Sequence, residues 1–194
     1  MNYKDYQDAR DAAWKILLDC GVNCLPVDIT QICRKLGVSV RLYVPTDGND
    51  GISLIHDGEP LILVSAKVPQ ARQRFTCAHE LGHIILGHVG VYELRNREPA
   101  ATDNPIEQAA NVFASRILAP ACVLWGCGAF KEEEISRLCN ISRQAAGFRA
   151  KRMQELNCRG KFLTSPLERE VYSRFTPYIS EIKNQRREAV QEGP

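Results

Sequence analysis

The 194-residue chain is 44% hydrophobic, enough to bury a core, and its length favours one domain with a small appendage. Its 25 basic and 23 acidic residues leave a net charge of +2, which singles out no class of partner. No apolar run reads as long enough to span a membrane, and the opening Met1-Asn2-Tyr3-Lys4-Asp5-Tyr6 is too polar and acidic for a secretion signal, so a cytoplasmic protein is expected.

The eight cysteines contain no Cys-x-x-Cys pair, which argues against a structural zinc knuckle, and reduced thiols are expected in a chain of this length. Residues from about Tyr3 to Cys20 carry Tyr6, Ala9, Ala13, Ile16 and Leu17 at helical spacing, with Gly21 as a stop. A second helix is expected from Val27 to Leu36, capped by Asp28 and ended by Gly37.

Strand signals follow. Val38 to Val44 is rich in β-branched and aromatic residues, and Gly51 to His56 and Leu61 to Val64 flank the turn Asp57-Gly58-Glu59-Pro60 as a hairpin. Three or so strands thus lead into the next helix. The hairpin is a candidate rail for an extended peptide, or a strand that only completes the core. His56 on it is expected to be a surface or core histidine rather than a ligand.

The next helix carries the chemistry. Pro69 suits its first position, Phe75, Ala78, Leu81 and Ile85 recur at helical spacing, and Gly87 and Gly90 suit its end. It contains His79-Glu80-Leu81-Gly82-His83, and the four-residue step puts both imidazoles on one face about one turn apart. A hydrolytic zinc site needs three protein ligands with its fourth position left to water, and Glu80 beside the first ligand can serve as general base. Two histidines four apart by accident is the competing explanation. Gly82 costs about 1 kcal/mol in a helix interior, so another backbone or a substrate is expected against it. Cys77, two residues before His79, reads as a small buried side chain rather than a thiol at the metal.

After the polar, irregular stretch from Val91 to Asp103, Asn104 caps a helix with Pro105 at its first position, running to Leu118 before Pro120. Glu107, Ala110, Asn111 and Ala114 share a face whose small residues allow close packing on the metal helix. Glu107 is the best third ligand, and Asn111, one turn on, can hydrogen-bond a ligating histidine. A glutamate three residues after an Asn cap is also a capping-box residue that needs no metal. Glu93, Glu98 and Asp103 are weaker ligand candidates. His88 is disfavoured: it lies five residues after His83 rather than six, and five residues turn it far round a continuing helix.

Arg74-Phe75-Thr76-x-Ala78-His79-Glu80-Leu81-Gly82-His83, preceded by the hairpin and followed by Glu107-x-x-Ala110-Asn111-x-Phe113-Ala114 and Leu118-x-Pro120, resembles the ImmA/IrrE family of zinc metallopeptidases over roughly residues 25 to 155. The resemblance implies a minimal gluzincin-like α+β domain with zinc on His79, His83 and Glu107 and Glu80 as general base. It also implies a protein substrate, since some members cleave a helix-turn-helix repressor of a mobile element or stress-response system. Arg116-Ile117-Leu118-Ala119-Pro120 departs from the leucine-rich or methionine end usual there, so different substrate contacts are expected on that side.

The chain divides in this reading into a metallopeptidase core over 1–128, a helix-turn-helix-like segment over 129–160 and a C-terminal helix and tail over 161–194. Ile135, Leu138, Ile141, Ala145 and Phe148 are spaced like the inner face of a helix pair, with Ser142 as cap. Between Arg137 and Lys161, the basic residues Arg137, Arg143, Arg149, Lys151, Arg152, Arg159 and Lys161 stand against a single acid, Glu155. DNA binding is one reading of that charge; packing against the peptidase or docking of a repressor is the other. The tail reads as a helix interrupted near Pro177. Tyr92, His88 and Tyr172 are candidates to stabilise an oxyanion. The alternative function is a regulatory protein-binding or DNA-binding module without proteolysis, and no oligomeric state follows from the sequence.

Overall fold

The computed structural model describes residues 2–46, 48–89 and 104–191. Its helices and strands sort into two compact units, residues 1–16 with 28–118 and residues 17–27 with 119–194.

The first unit is mixed α and β. Helix α1 (Tyr3–Asp19) buries Ala9, Ala13 and Trp14, and α2 (Ile29–Lys35) begins where Asp28 Oδ1 accepts the Gln31 N–H at 3.0 Å. The expected first and second helices thus form within a residue or two of their sequence bounds.

Strands β1 (Ser39–Tyr43), β2 (Gly51–His56) and β3 (Glu59–Ser65) make one sheet in the order β1-β3-β2, with β1 parallel and β2 antiparallel to β3. The hairpin is tighter than expected. Asp57 and Gly58 at φ +52° and +82° close it as a two-residue turn, so Glu59 already pairs with His56 and belongs to the strand. Register aligns Val40, Ile62 and Ser53 across one face of the sheet, and Ile62 and Ser53 are both buried.

Helix α3 (Gln70–Ile85) packs on β2 and β3, and α4 (Pro105–Leu118) packs along α3. Two glycines set these distances. A Cβ at Gly51 would collide with Thr76 Cγ2, so only glycine lets β2 start against α3. A Cβ at Gly82 would stand 3.1 Å from Phe113 Cδ1 and 3.2 Å from its Cβ. The close neighbour expected at Gly82 is therefore a side chain of α4 rather than a backbone. Cys77 turns to α2, its Sγ 3.8 Å from Cys33 Sγ.

The second unit holds α5 (Ala121–Gly126), α6 (Glu132–Cys139), α7 (Arg143–Cys158) and α8 (Pro166–Gln191). Helices α6 and α7 form the expected pair, joined through Asn140 in the left-handed region (φ +50°) and capped by Ser142 Oγ, which accepts the Ala145 N–H at 3.2 Å. The expected inner face needs correction in α7: Phe148 is 72% exposed, and Ala146, Arg149, Ala150 and Met153 point inward. Phe148 belongs to a stripe one residue out of phase with the one that packs. Buried Arg149 donates to the Ala119 carbonyl.

Helix α8 continues for 26 residues with Pro177 inside it, against the expected interruption. Val171, Phe175 and Ile179 are all buried on one stripe spanning the proline, and that packing offsets a helix-interior cost of about 3 kcal/mol.

All eight cysteines are free, and burial pushes the Cys122 thiol up to about 12 and the Cys127 thiol up to about 11, which leaves both unreactive. One further expectation fails: Pro105–Gly126 is 22 residues with mean hydropathy 1.3, long and apolar enough to cross a membrane. Most of its apolar stretch is buried inside the protein, so those side chains serve as core.

Candidate metal centre

The geometry is assembled by α3 and α4. On α3, the four-residue step stacks His79 and His83 with ring centroids 4.7 Å apart, and their Nε2 atoms are separated by 3.0 Å. On α4, Asn104 Oδ1 accepts the Ile106 N–H at 3.0 Å, which starts the helix so that Glu107 in its first turn faces α3. Glu107 Oε2 lies 3.1 Å from His79 Nε2, and Oε1 lies 3.4 Å from His83 Nε2. A capping-box residue would turn back on its own helix end; this carboxylate reaches across to two histidines.

The three residues offer ligand atoms that all lie within 4.8 Å of one another. Ligands of a tetrahedral zinc, each about 2.0–2.1 Å from the ion, stand roughly 3.3 Å apart, so two neutral imidazoles and a carboxylate at these spacings fit a divalent metal. Hydrogen bonds from His79 first and His83 second hold the Glu107 carboxyl well below the usual carboxylate range, which keeps it an anion.

Both histidines are braced from behind. Asn111 Oδ1 lies 3.0 Å from His79 Nδ1, the contact anticipated from its place one turn after Glu107. His88 Nδ1 lies 3.0 Å from His83 Nδ1. The continuing helix assumed for His88 does not exist: α3 stops at Ile85, Gly87 takes φ +73°, and the chain folds back. The glycine after Leu86 was the available signal for that reversal. Burial first, and then the neighbouring His83, lowers the pKa of His88.

Glu80 is 1% exposed, and its Oε2 accepts a 2.7 Å hydrogen bond from Ser53 Oγ of β2. No local pattern marked Ser53, because only the fold brings β2 to α3. Of the other candidates, His56 sits at the surface 3.6 Å from Asp57, and Tyr172 packs in the second unit with its ring 5.8 Å from that of Trp125. Tyr92, Glu93, Glu98 and Asp103 lie outside the described residues.

The model of the Peptidase_M78 family, the IrrE N-terminal-like domain, matches residues 33–151, which include every residue of this centre. Among solved structures the fold is similar to that of a Mycobacterium tuberculosis transcriptional regulator, with a TM-score of 0.52 at 17% identity over 74% of this chain. The match takes in 46% of that protein, so this chain spans about half its length, and the likeness speaks to the fold alone. No curated protein matches the sequence significantly. Since the family model covers more than half of the residues, the chain belongs to the Peptidase_M78 family and carries its metallopeptidase-like domain.

Proposed function

We propose that this protein is a zinc-dependent endopeptidase in which His79, His83 and Glu107 hold the metal and Glu80 is the general base. The observation that carries the reading is the convergence of the two imidazole Nε2 atoms and the Glu107 carboxylate on one point, next in sequence to a buried carboxylate. The fold is then a minimal gluzincin-like one, with the third ligand drawn from a separate helix.

Zinc held by His79, His83 and Glu107 would supply Lewis acidity towards a scissile carbonyl and would make a water molecule more acidic. Glu80 accepts the water proton and delivers it to the leaving amine, while Ser53 fixes the rotation of its carboxylate. Asn111 accepts the Nδ1 proton of His79, which leaves Nε2 as the ligand atom. Strand β2 pairs only with β3 among the described strands and starts against α3, so its other edge is suited to an extended peptide added as a further strand.

The substrate in this reading is a protein, a helix-turn-helix transcriptional repressor of a mobile element or stress-response system, met in the cytoplasm. The resemblance of the motifs to ImmA/IrrE peptidases supports that choice. A second reading, a regulatory module that binds protein or DNA without cutting, draws support from α7 and its C-cap, where Arg143, Phe148, Lys151 and the capping Arg159 are exposed.

Purified protein incubated with the repressors encoded beside its gene distinguishes the two. The peptidase reading predicts a cut polypeptide with zinc and none with a chelator or with Glu80→Gln. Cleavage that survives Glu80→Gln overturns the assignment of the base, and full regulatory activity of Glu80→Gln in cells favours the binding module.

A further inference from the structure

His83 is the least exposed member of the metal centre. Its side chain is 0% exposed, against 13% for His79 and 15% for Glu107. A neutral imidazole carries one N–H, so a ring that ligates through Nε2 must keep its proton on Nδ1. That N–H cannot find bulk water behind His83, and a buried donor left without an acceptor is costly. The ring could instead move its proton to Nε2, which would abolish ligation.

The atom placed to prevent this is His88 Nδ1, 3.0 Å from His83 Nδ1. Its position follows from the end of α3. Gly87 takes a left-handed conformation, the Gly87 N–H bonds the Ile84 carbonyl at 3.1 Å, and the His88 N–H bonds the His83 carbonyl at 2.8 Å. This two-bond helix stop ties the backbone of His88 to that of the residue its ring meets. His83 and His88 are thus joined twice, and the rings stand edge to face with centroids 5.2 Å apart.

We propose that His88 is a positioning residue: its Nδ1 accepts the Nδ1 proton of His83 and fixes that ring in the tautomer that presents Nε2 to the metal. The proposal rests on the reading of His83 as a ligand. His88 does not bind the ion, because its Nδ1 engages the side of the His83 ring opposite the ligating nitrogen. It also matters more than Asn111, since the partially exposed His79 can replace a lost acceptor with water and His83 cannot.

The test is zinc affinity of the full chain, by competition with a chromophoric chelator, together with the tautomer of His83 from nitrogen NMR shifts. His88→Ala should weaken zinc binding by about 10- to 100-fold, the usual effect of removing a partner that orients a ligand. His88→Phe, which fills the space without an acceptor, should match His88→Ala. His88→Asn, whose Oδ1 stands near the place of Nδ1, should recover affinity to within a few-fold of wild type and restore the Nδ1–H tautomer. Wild-type affinity in His88→Phe, or failure of His88→Asn to outperform it, overturns the proposal. His83→Ala separates the two levels: if it still binds zinc as tightly as wild type, the ligand assignment itself is wrong, whereas loss of zinc there with an unaffected His88→Phe refutes only the role of His88.

Discussion

Ser53 Oγ on β2 donates a 2.7 Å hydrogen bond to Glu80 Oε2 on α3, and both residues are 1% exposed. The contact joins β2 to the carboxylate proposed as the general base. Because the bond is short and buried, its loss should be felt in both stability and rate. Ser53→Ala is expected to lower the unfolding free energy by about 1.5–3 kcal/mol in urea titrations. Single-turnover cleavage should slow by roughly 10-fold with little change in zinc affinity, since the ligand set is intact. An unchanged rate would show that Glu80 keeps its orientation without the hydroxyl.

Gly82→Ala tests the spacing of α3 and α4. Alanine gains about 1 kcal/mol in helix propensity, but its Cβ would meet the Cβ of Phe113 at 3.2 Å, and fully buried Phe113 would have to shift within the core to admit it. The clash should win, with a net loss of about 1 kcal/mol. Because the displaced helix carries Glu107, zinc affinity should fall with it. A more stable variant with normal affinity would mean that α4 moves freely.

These two contacts mark where the sequence stops being informative. Helix-local chemistry was readable: the spacing of His79 and His83, the Asn104 cap, and the positions of Glu107 and Asn111 on one face all depend on neighbours within a turn or two. Ser53 was not readable, since it reaches Glu80 only after the sheet folds onto α3. His88 was missed for a different reason. The glycine stop is a local signal, but the chain reversal that returns His88 to His83 exists only once Gly87 takes its left-handed conformation. Pro177 and Phe148 show packing overriding local rules, once by holding a helix through a proline and once by choosing a stripe one residue away.

The corrected face of α7 gives a third prediction. Met153 is fully buried and Phe148 is 72% exposed, although phenylalanine is the larger side chain. Met153→Ala should destabilise the protein by about 2–5 kcal/mol, whereas Phe148→Ala should change stability by no more than about 0.5 kcal/mol. Chemical denaturation of the two variants decides it, and the reverse order would restore the original face.

Metal removal gives the fourth. A ligand that binds only the folded state stabilises it by about 2.7 kcal/mol at a hundredfold excess over its dissociation constant. Zinc should therefore raise the melting temperature of the wild type, chelator should lower it to the metal-free value, and His83→Ala should respond to neither. An equal zinc response in His83→Ala would place the stabilising ion elsewhere.

The most direct measurement is zinc K-edge X-ray absorption on the full chain loaded with one equivalent of zinc, repeated on Glu107→Gln. Two imidazole nitrogens, a carboxylate oxygen and one further light atom at about 2.0–2.1 Å are predicted, with the carboxylate contribution lost in the variant. A sulfur neighbour at about 2.3 Å, or a spectrum that Glu107→Gln leaves unchanged, would contradict the metal centre described for this protein.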